Sequence, residues 1–437
     1  MPLINHAGGG SSFAAIIQVT YNAGAICTCS NGSKTLTAPD TSGSATFKVK
    51  SKGTWVVTVT KGSASATKSV EVVSDGALYS VEVFTFRIYG ISRSRSVSAP
   101  EWARTDDAEG LTASAALGTQ PGHSDFDTIY PWSEITRTTL STGDVMVKIP
   151  KFWYRRYILN DIEYIQISDK SESGFDLHPA FTTSEFIYVG AYITSGGSTV
   201  TSASGASVTT AKTRSWHITN AGNKGSGWSI MSIEALSAIQ MLILVEYATY
   251  DVQSAIGAGY TGQTSFGTNQ PIQTGSCDAI PGLTGRPSGT SNKVDVVWRG
   301  IEGLWGQVFE FLSNLTRTEA SSGIRYTLNA SGTITAILEM YPAFNKYIVS
   351  LGLDGSYPYI ILAEAATQTG SSSTYTCDYA DGDPVQGSNT TSIAYGGAAI
   401  DGDRAGLFAL SIGSADQYGS SQAGAYKYGS RLLYVPQ

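Results

Sequence analysis

Charge is scarce in this chain: 14 % of its 437 residues are Asp, Glu, Lys or Arg, against about 25 % in an ordinary soluble domain. The 35 acids outnumber the 28 bases for a formal net charge of −7. No basic run concentrates the positive charge, so nothing attracts a phosphate backbone and nucleic acid is not an expected partner. Cysteine is scarcer still. Four residues in the whole chain cannot make a disulfide scaffold. Cys27-Thr28-Cys29 is too tight for a zinc or redox CxxC, Cys277 and Cys377 stand alone, and small buried hydrophobes are the expected role for all four. Long apolar runs are missing. The most apolar stretch, Ile230 to Val245, is broken by Glu234 and Gln240 and followed by Glu246, short of the roughly 20 residues that a membrane span needs. Met1 to Gly10 carries no Lys or Arg and runs into three glycines. Neither membrane insertion nor a classical signal peptide is expected.

What is plentiful is glycine, 48 residues, together with 41 % hydrophobic and 11 % aromatic content, too apolar for a disordered chain. The expectation is a folded, loop-rich protein, with roughly two to four domains by length. Residues 1–14 read as a flexible arm, because Gly and Ser offer nothing to bury. Over 15–75, short β-branched runs such as Thr54-Trp55-Val56-Val57-Thr58-Val59 and Lys68-Ser69-Val70-Glu71-Val72 alternate with Gly, Ser and Asp turns, the pattern of a small β-sandwich. It is similar to the immunoglobulin-like modules that serve as spacers. Residues 76–144 read as a connecting, β-rich segment that begins with a linking strand from Leu78 to Tyr89. Residues 145–437 form the main domain. Its clearest helix starts after Ser232, a suitable N-cap with Glu234 well placed against the dipole, and carries the stripe Ile233, Leu236, Ile239, Ile243 and Tyr247. The Gly/Ser/Thr-rich stretch 254–292 is too long for a plain connection. No internal repeat of fixed period is present.

Three segments of the main domain resemble the C-type-lectin-like fold of the formylglycine-generating-enzyme lineage. The first is Pro150-Lys151-Phe152-Trp153-Tyr154-Arg155, followed by His178-Pro179-Ala180-Phe181 and Glu185 to Tyr192. The second, Trp298 to Phe311, is similar to that lineage's Gly-Asn-Val-Trp-Glu-Trp element, with Gln307, Phe309 and Phe311 as departures. The third pairs Gly406-Leu407-Phe408 with Gly429-Ser430-Arg431-Leu432-Leu433, similar to the closing Gly-Phe-Arg-Leu strand. The fold class expected is therefore mainly β, with a small immunoglobulin-like sandwich followed by an α+β, C-type-lectin-like domain. Arg431, between glycine and leucines, is expected to pair internally, with Glu302 or Glu310 as the partner.

Within that lineage the oxidases carry a pair of Cys just before the closing strand, and the nearest here is Cys377. Iron-dependent relatives need clustered His, whereas this chain has His6, His123, His178 and His217 at no converging spacing. Catalysis, a metal and a cofactor are not expected. What remains resembles the non-catalytic branch found in bacteriophage tail-tip and receptor-binding proteins, including tropism determinants. The resemblance implies a homotrimeric virion protein assembled in the host cytoplasm. Its N-terminal region would meet other virion proteins, and its C-terminal loops a host cell-surface protein or glycan. A structural virion component is the alternative, and a surface polysaccharide hydrolase a third reading, since paired carboxylates can converge unannounced.

Candidate binding residues concentrate near the C-terminus. Tyrosines scattered among Gly, Ser and Asp give rigid amphipathic contacts on adaptable loops. The expected ligand-binding set is Tyr379, Asp381, Asp383, Tyr395, Asp401, Asp403, Arg404, Tyr418 and Tyr426. Asp381-Gly382-Asp383 and Asp401-Gly402-Asp403 could lend oxygens to calcium, but Asp-Gly is common turn chemistry and the EF-hand order is absent, so both read as turns.

Overall fold

Period-two alternation builds the first unit. In the strand Gly53–Lys61, Trp55, Val57 and Val59 are buried while their neighbours face out, and in Ile26–Ser30 the inward positions are Cys27 and Cys29. The computed structural model describes residues 14–61, 64–84, 87–264, 271–320, 323–330, 333–340, 345–382, 391–412 and 426–437; the expected arm, apart from Ala14, lies outside them. One sheet runs Thr35–Thr37, Ile26–Ser30, Gly53–Lys61, Ala64–Val72, and the other Ser44–Val49, Ala15–Tyr21, Ala77–Val83. Their inner faces share one core around Ile17, Phe47, Trp55 and Val57. All four cysteines of the chain are buried and unpaired, and burial pushes the Cys27 and Cys29 thiols up to about 11.

The strand expected to link the domains divides differently. Ala77–Val83 pairs in parallel with Ala15–Tyr21, and its Val81 and Val83 enter the first core, whereas Tyr89 and Ile91 belong to a second core. The chain accordingly separates into Met1–Arg87 and Ile88–Gln437. Both are rich in strands, and the protein is mainly β.

At the centre of the second unit lies the helix Ile233–Tyr247. Ser232 caps it, its hydroxyl accepting the Ala235 N–H at 3.3 Å, and Ala248 ends it in the left-handed conformation. The sequence stripe marks one apolar face, yet nearly the whole surface of the helix is buried, Ser237, Gln240 and Glu246 included. Around it are the sheet Thr136–Thr139, Val145–Pro150, Phe186–Ile193, Arg431–Tyr434, Trp228–Ile230 and the sheet Asp176–Leu177, Trp153–Leu159, Ile162–Ser168, Ile88–Ser94, Ala103–Asp106. A larger sheet contains, in order, Thr333–Met340, Gly323–Ala330, Phe309–Ala320, Thr391–Gly396, Gly406–Ser411, Tyr379–Asp381, Lys346–Leu351 and Ala363–Thr367. Among the described residues no helix is long and apolar enough to cross a membrane.

Asp378 locks the larger sheet at the strand Gly406–Ser411. Its buried carboxylate accepts the Phe408 N–H at 2.7 Å, and a Cβ on Gly406 would fall inside that carboxylate. Gly406→Ala is therefore expected to cost about 1–3 kcal/mol, read as a lowered urea midpoint with an unchanged m-value; an unchanged midpoint would show that the strand yields freely.

Candidate functional site

The run Tyr379-Ala380-Asp381 is a three-residue strand, so Tyr379 and Asp381 share one face while Ala380 is buried on the other. On one side the antiparallel strand Lys346–Leu351 sets Tyr347 opposite Tyr379, and their rings meet edge to face at 5.3 Å. On the other side Gly406–Ser411 runs parallel, with Asp381 opposite Ser411 and the Ile412 N–H donating to the Asp381 carbonyl at 2.7 Å. Gly382 and Ile412, which precede the stretches 383–390 and 413–425, thus stand at the same end of two neighbouring strands.

A single turn, Gly402–Arg404, brings the second acidic loop to this place. Asp401 shapes it: its carboxylate accepts the Ala398 N–H at 2.7 Å, and its carbonyl accepts the Arg404 N–H at 3.1 Å and Nε at 3.2 Å. The Arg404 side chain keeps 41 % of its surface exposed and places its guanidinium 5.2 Å from the centre of the Tyr379 ring, a cation–π contact. Asp403 hydrogen-bonds the Tyr347 hydroxyl, whose pKa is raised by burial first and by Asp403 next. Lys427 stands 3.8 Å from Asp381. Phe309, Tyr379, Asp381, Asp401 and Arg404 line a shallow cleft of about 10 Å³. Aromatic faces, carboxylates and a partly exposed guanidinium, itself braced by Asp401 at 3.5 Å, are groups for stacking and hydrogen bonding with a polar partner.

The structure gathers Tyr379, Asp381, Asp403 and Arg404 of the expected set in one patch. Asp401 joins them as a buried residue: burial pushes its carboxyl up, while Lys427, the Ala398 N–H and Arg404 act against that shift. It builds the turn and does not present a free carboxylate. Tyr395 is corrected outright. It is fully buried in the strand Thr391–Gly396, between two neighbours of the larger sheet, and its hydroxyl donates to Glu310 at 2.8 Å; it belongs to the core. Tyr426 is half-buried at the start of the final segment, and Asp383 and Tyr418 lie outside the described residues. Sequence reasoning missed Tyr347 and Lys427. The signal for Lys427 was its place between Tyr426 and Tyr428; Tyr347 becomes visible only through its register with Tyr379.

The partner of Arg431 is Glu310, at 2.6 and 3.0 Å. Glu302 instead accepts the N–H groups of Gly275 and Cys277, each at 2.7 Å. Among the described residues no three His, Cys, Asp or Glu side chains gather as a metal site would require. No protein-family model matches the chain and no curated protein matches it in sequence, so the geometry of this patch has to carry the functional reading.

Proposed function

We propose that the protein is a non-catalytic bacteriophage adhesin. Its second unit is a C-type-lectin-like head that recognises a host-surface ligand, and its first is an immunoglobulin-like spacer toward the rest of the virion. The observation that carries the reading is the patch of Tyr379, Asp381, Asp403 and Arg404, set at the end of two parallel strands. An aromatic ring and an exposed arginine held on a rigid sheet are the kind of anchors that recognition surfaces use. Weak single sites would be multiplied by a homotrimer on the particle.

The test is attachment of the purified, fluorescently labelled protein to a panel of bacterial strains. Binding to at least one strain is expected, with Arg404→Ala and Tyr379→Ala each lowering affinity about tenfold, as for residues central to an interface. A folded oligomer that attaches to no strain would favour a structural virion component, and release of reducing sugar from the cells would establish a hydrolase.

A further inference from the structure

The turn that carries Arg404 is built around one buried carboxylate. The two oxygens of Asp401 have separate tasks. Oδ2 accepts the Ala398 N–H at 2.7 Å and closes the loop 398–401, while Oδ1 faces the Arg404 guanidinium at 3.5 Å. The Asp401 carbonyl holds the root of the same side chain, accepting the Arg404 N–H at 3.1 Å and Nε at 3.2 Å. An arginine that is 41 % exposed has several rotamers open to it. Its direction is therefore set by these contacts and by the Tyr379 ring, 5.2 Å from the guanidinium.

Charges reach Asp401 from three elements. Arg404 shares its turn, Lys427 in the final segment attracts it, and Asp381 on the strand Tyr379–Asp381 repels it. Lys427 is also drawn to Asp381, at 3.8 Å, and Asp403 is engaged with the Tyr347 hydroxyl. Burial outweighs the two cations and the Ala398 N–H, so a proton reaches Asp401 at a pH where an ordinary aspartate is still ionised. That proton costs the fold nothing through this group. A carboxyl raised on folding stabilises the folded state when protonated, and this stability is lost as pH rises through the folded pKa. A neutral Asp401 still accepts the Ala398 N–H, but it no longer attracts the guanidinium. The turn survives and the aim of Arg404 relaxes.

We propose that Asp401 is the positioning residue of the patch: its ionised carboxylate aims Arg404 at the ligand, and attachment weakens as that carboxylate takes up a proton. The inference deepens the adhesin reading and rests on it for the ligand, whereas the brace itself is a property of the free protein.

Two measurements on the full chain test it. In the first, without ligand, the NMR resonance of the Arg404 Nε–H, assigned by its loss in Arg404→Ala, is followed from about pH 7.5 to about pH 4.5. It is expected to shift as pH falls, and most of that shift should be absent from Asp401→Asn, whose amide oxygen can still accept the Ala398 N–H. In the second, attachment to a strain that binds the parent is measured over the same range. The parent should lose affinity about threefold toward acid. Asp401→Asn should be about threefold weaker at the higher pH and change little below it, whereas a merely structural role would weaken binding without flattening its pH profile. Equal shifts of the resonance in the two proteins, or parallel binding curves, would overturn the proposal. Attachment to no strain would remove the adhesin reading and the pH effect on attachment with it, and the resonance would still decide whether Asp401 holds Arg404.

Discussion

Replacing Arg431 with methionine is expected to bring the second unit close to unfolding in water. The guanidinium is fully buried and forms a two-pronged pair with Glu310, while its remaining N–H groups donate to the carbonyls of Gly190 at 2.9 Å, Glu302 at 2.8 Å and Gly303 at 3.0 Å. It therefore ties the closing strand Arg431–Tyr434 to the strand Phe186–Ile193, to the turn at 302–303 and to Phe309–Ala320. Through Glu310 and the Tyr395 hydroxyl the tie extends to Thr391–Gly396. Breaking a buried pair from one side costs about 3–5 kcal/mol, and the three orphaned carbonyls add to that. Domains have only about 5–15 kcal/mol in hand. Burial already pushes the Glu310 carboxyl up, against the pull of Arg431; without Arg431 it would take up a proton, which limits the loss without cancelling it. The check is a urea titration of Arg431→Met beside the double variant Arg431→Met with Glu310→Leu. The single variant should lose most of its midpoint and the double variant should recover part of it, because an apolar pair leaves no buried charge. Equal midpoints for Arg431→Met and the parent would mean that the ion pair contributes nothing.

How far the sequence reveals such features depends on whether they are local. The internal pairing of Arg431 was legible from its apolar setting, but the choice between Glu302 and Glu310 was not, because it is made by strand register across distant segments. Tyr379 and Asp381 were legible as candidates, and their shared face follows from a two-residue period. Tyr395 has the same local composition, yet it lies in a strand buried on both faces, and such a strand has no polar side to mark it. The helix Ile233–Tyr247 was legible in place and phase; its complete burial depended on the sheets around it. The 77–83 strand read as a linker because nothing in its own residues says which core will take Val81 and Val83.

Acid should destabilise the protein through two histidines, and a comparison with variants should separate that effect from an opposing one. His178 is fully buried, with ring centroids 5.1 Å from both Phe152 and Tyr154 and 5.8 Å from Tyr359, and its Nδ1 accepts the Ala180 N–H at 3.3 Å. His217 is also fully buried, its Nδ1 paired with the Ser430 hydroxyl at 2.8 Å. Burial lowers both from 6.5 to about 3, with Lys212 adding to the effect on His217. Below pH 6.5 the unfolded chain therefore takes up protons that the folded one refuses. The stability these groups confer is complete above pH 6.5 and is lost as pH falls toward 3, at about 1.4 kcal/mol per unit for each, or about 4 kcal/mol for both at pH 5. Buried carboxyls act in the opposite sense. Burial raises Asp378 and, first of its causes, pushes Asp295 up to about 8, so their folded forms hold protons that the unfolded chain releases, and stability is lost as pH rises from about 4 toward 8. The two windows overlap between pH 4 and 6.5, where the parent protein should show a shallow dependence. Removing the titrating rings with His178→Gln and His217→Gln should unmask the carboxyls: whatever its absolute stability, the double variant should become more stable as pH falls from 6.5 to 5 while the parent does not. Parallel stability curves for the two proteins would show that the histidines titrate alike in the folded and unfolded states.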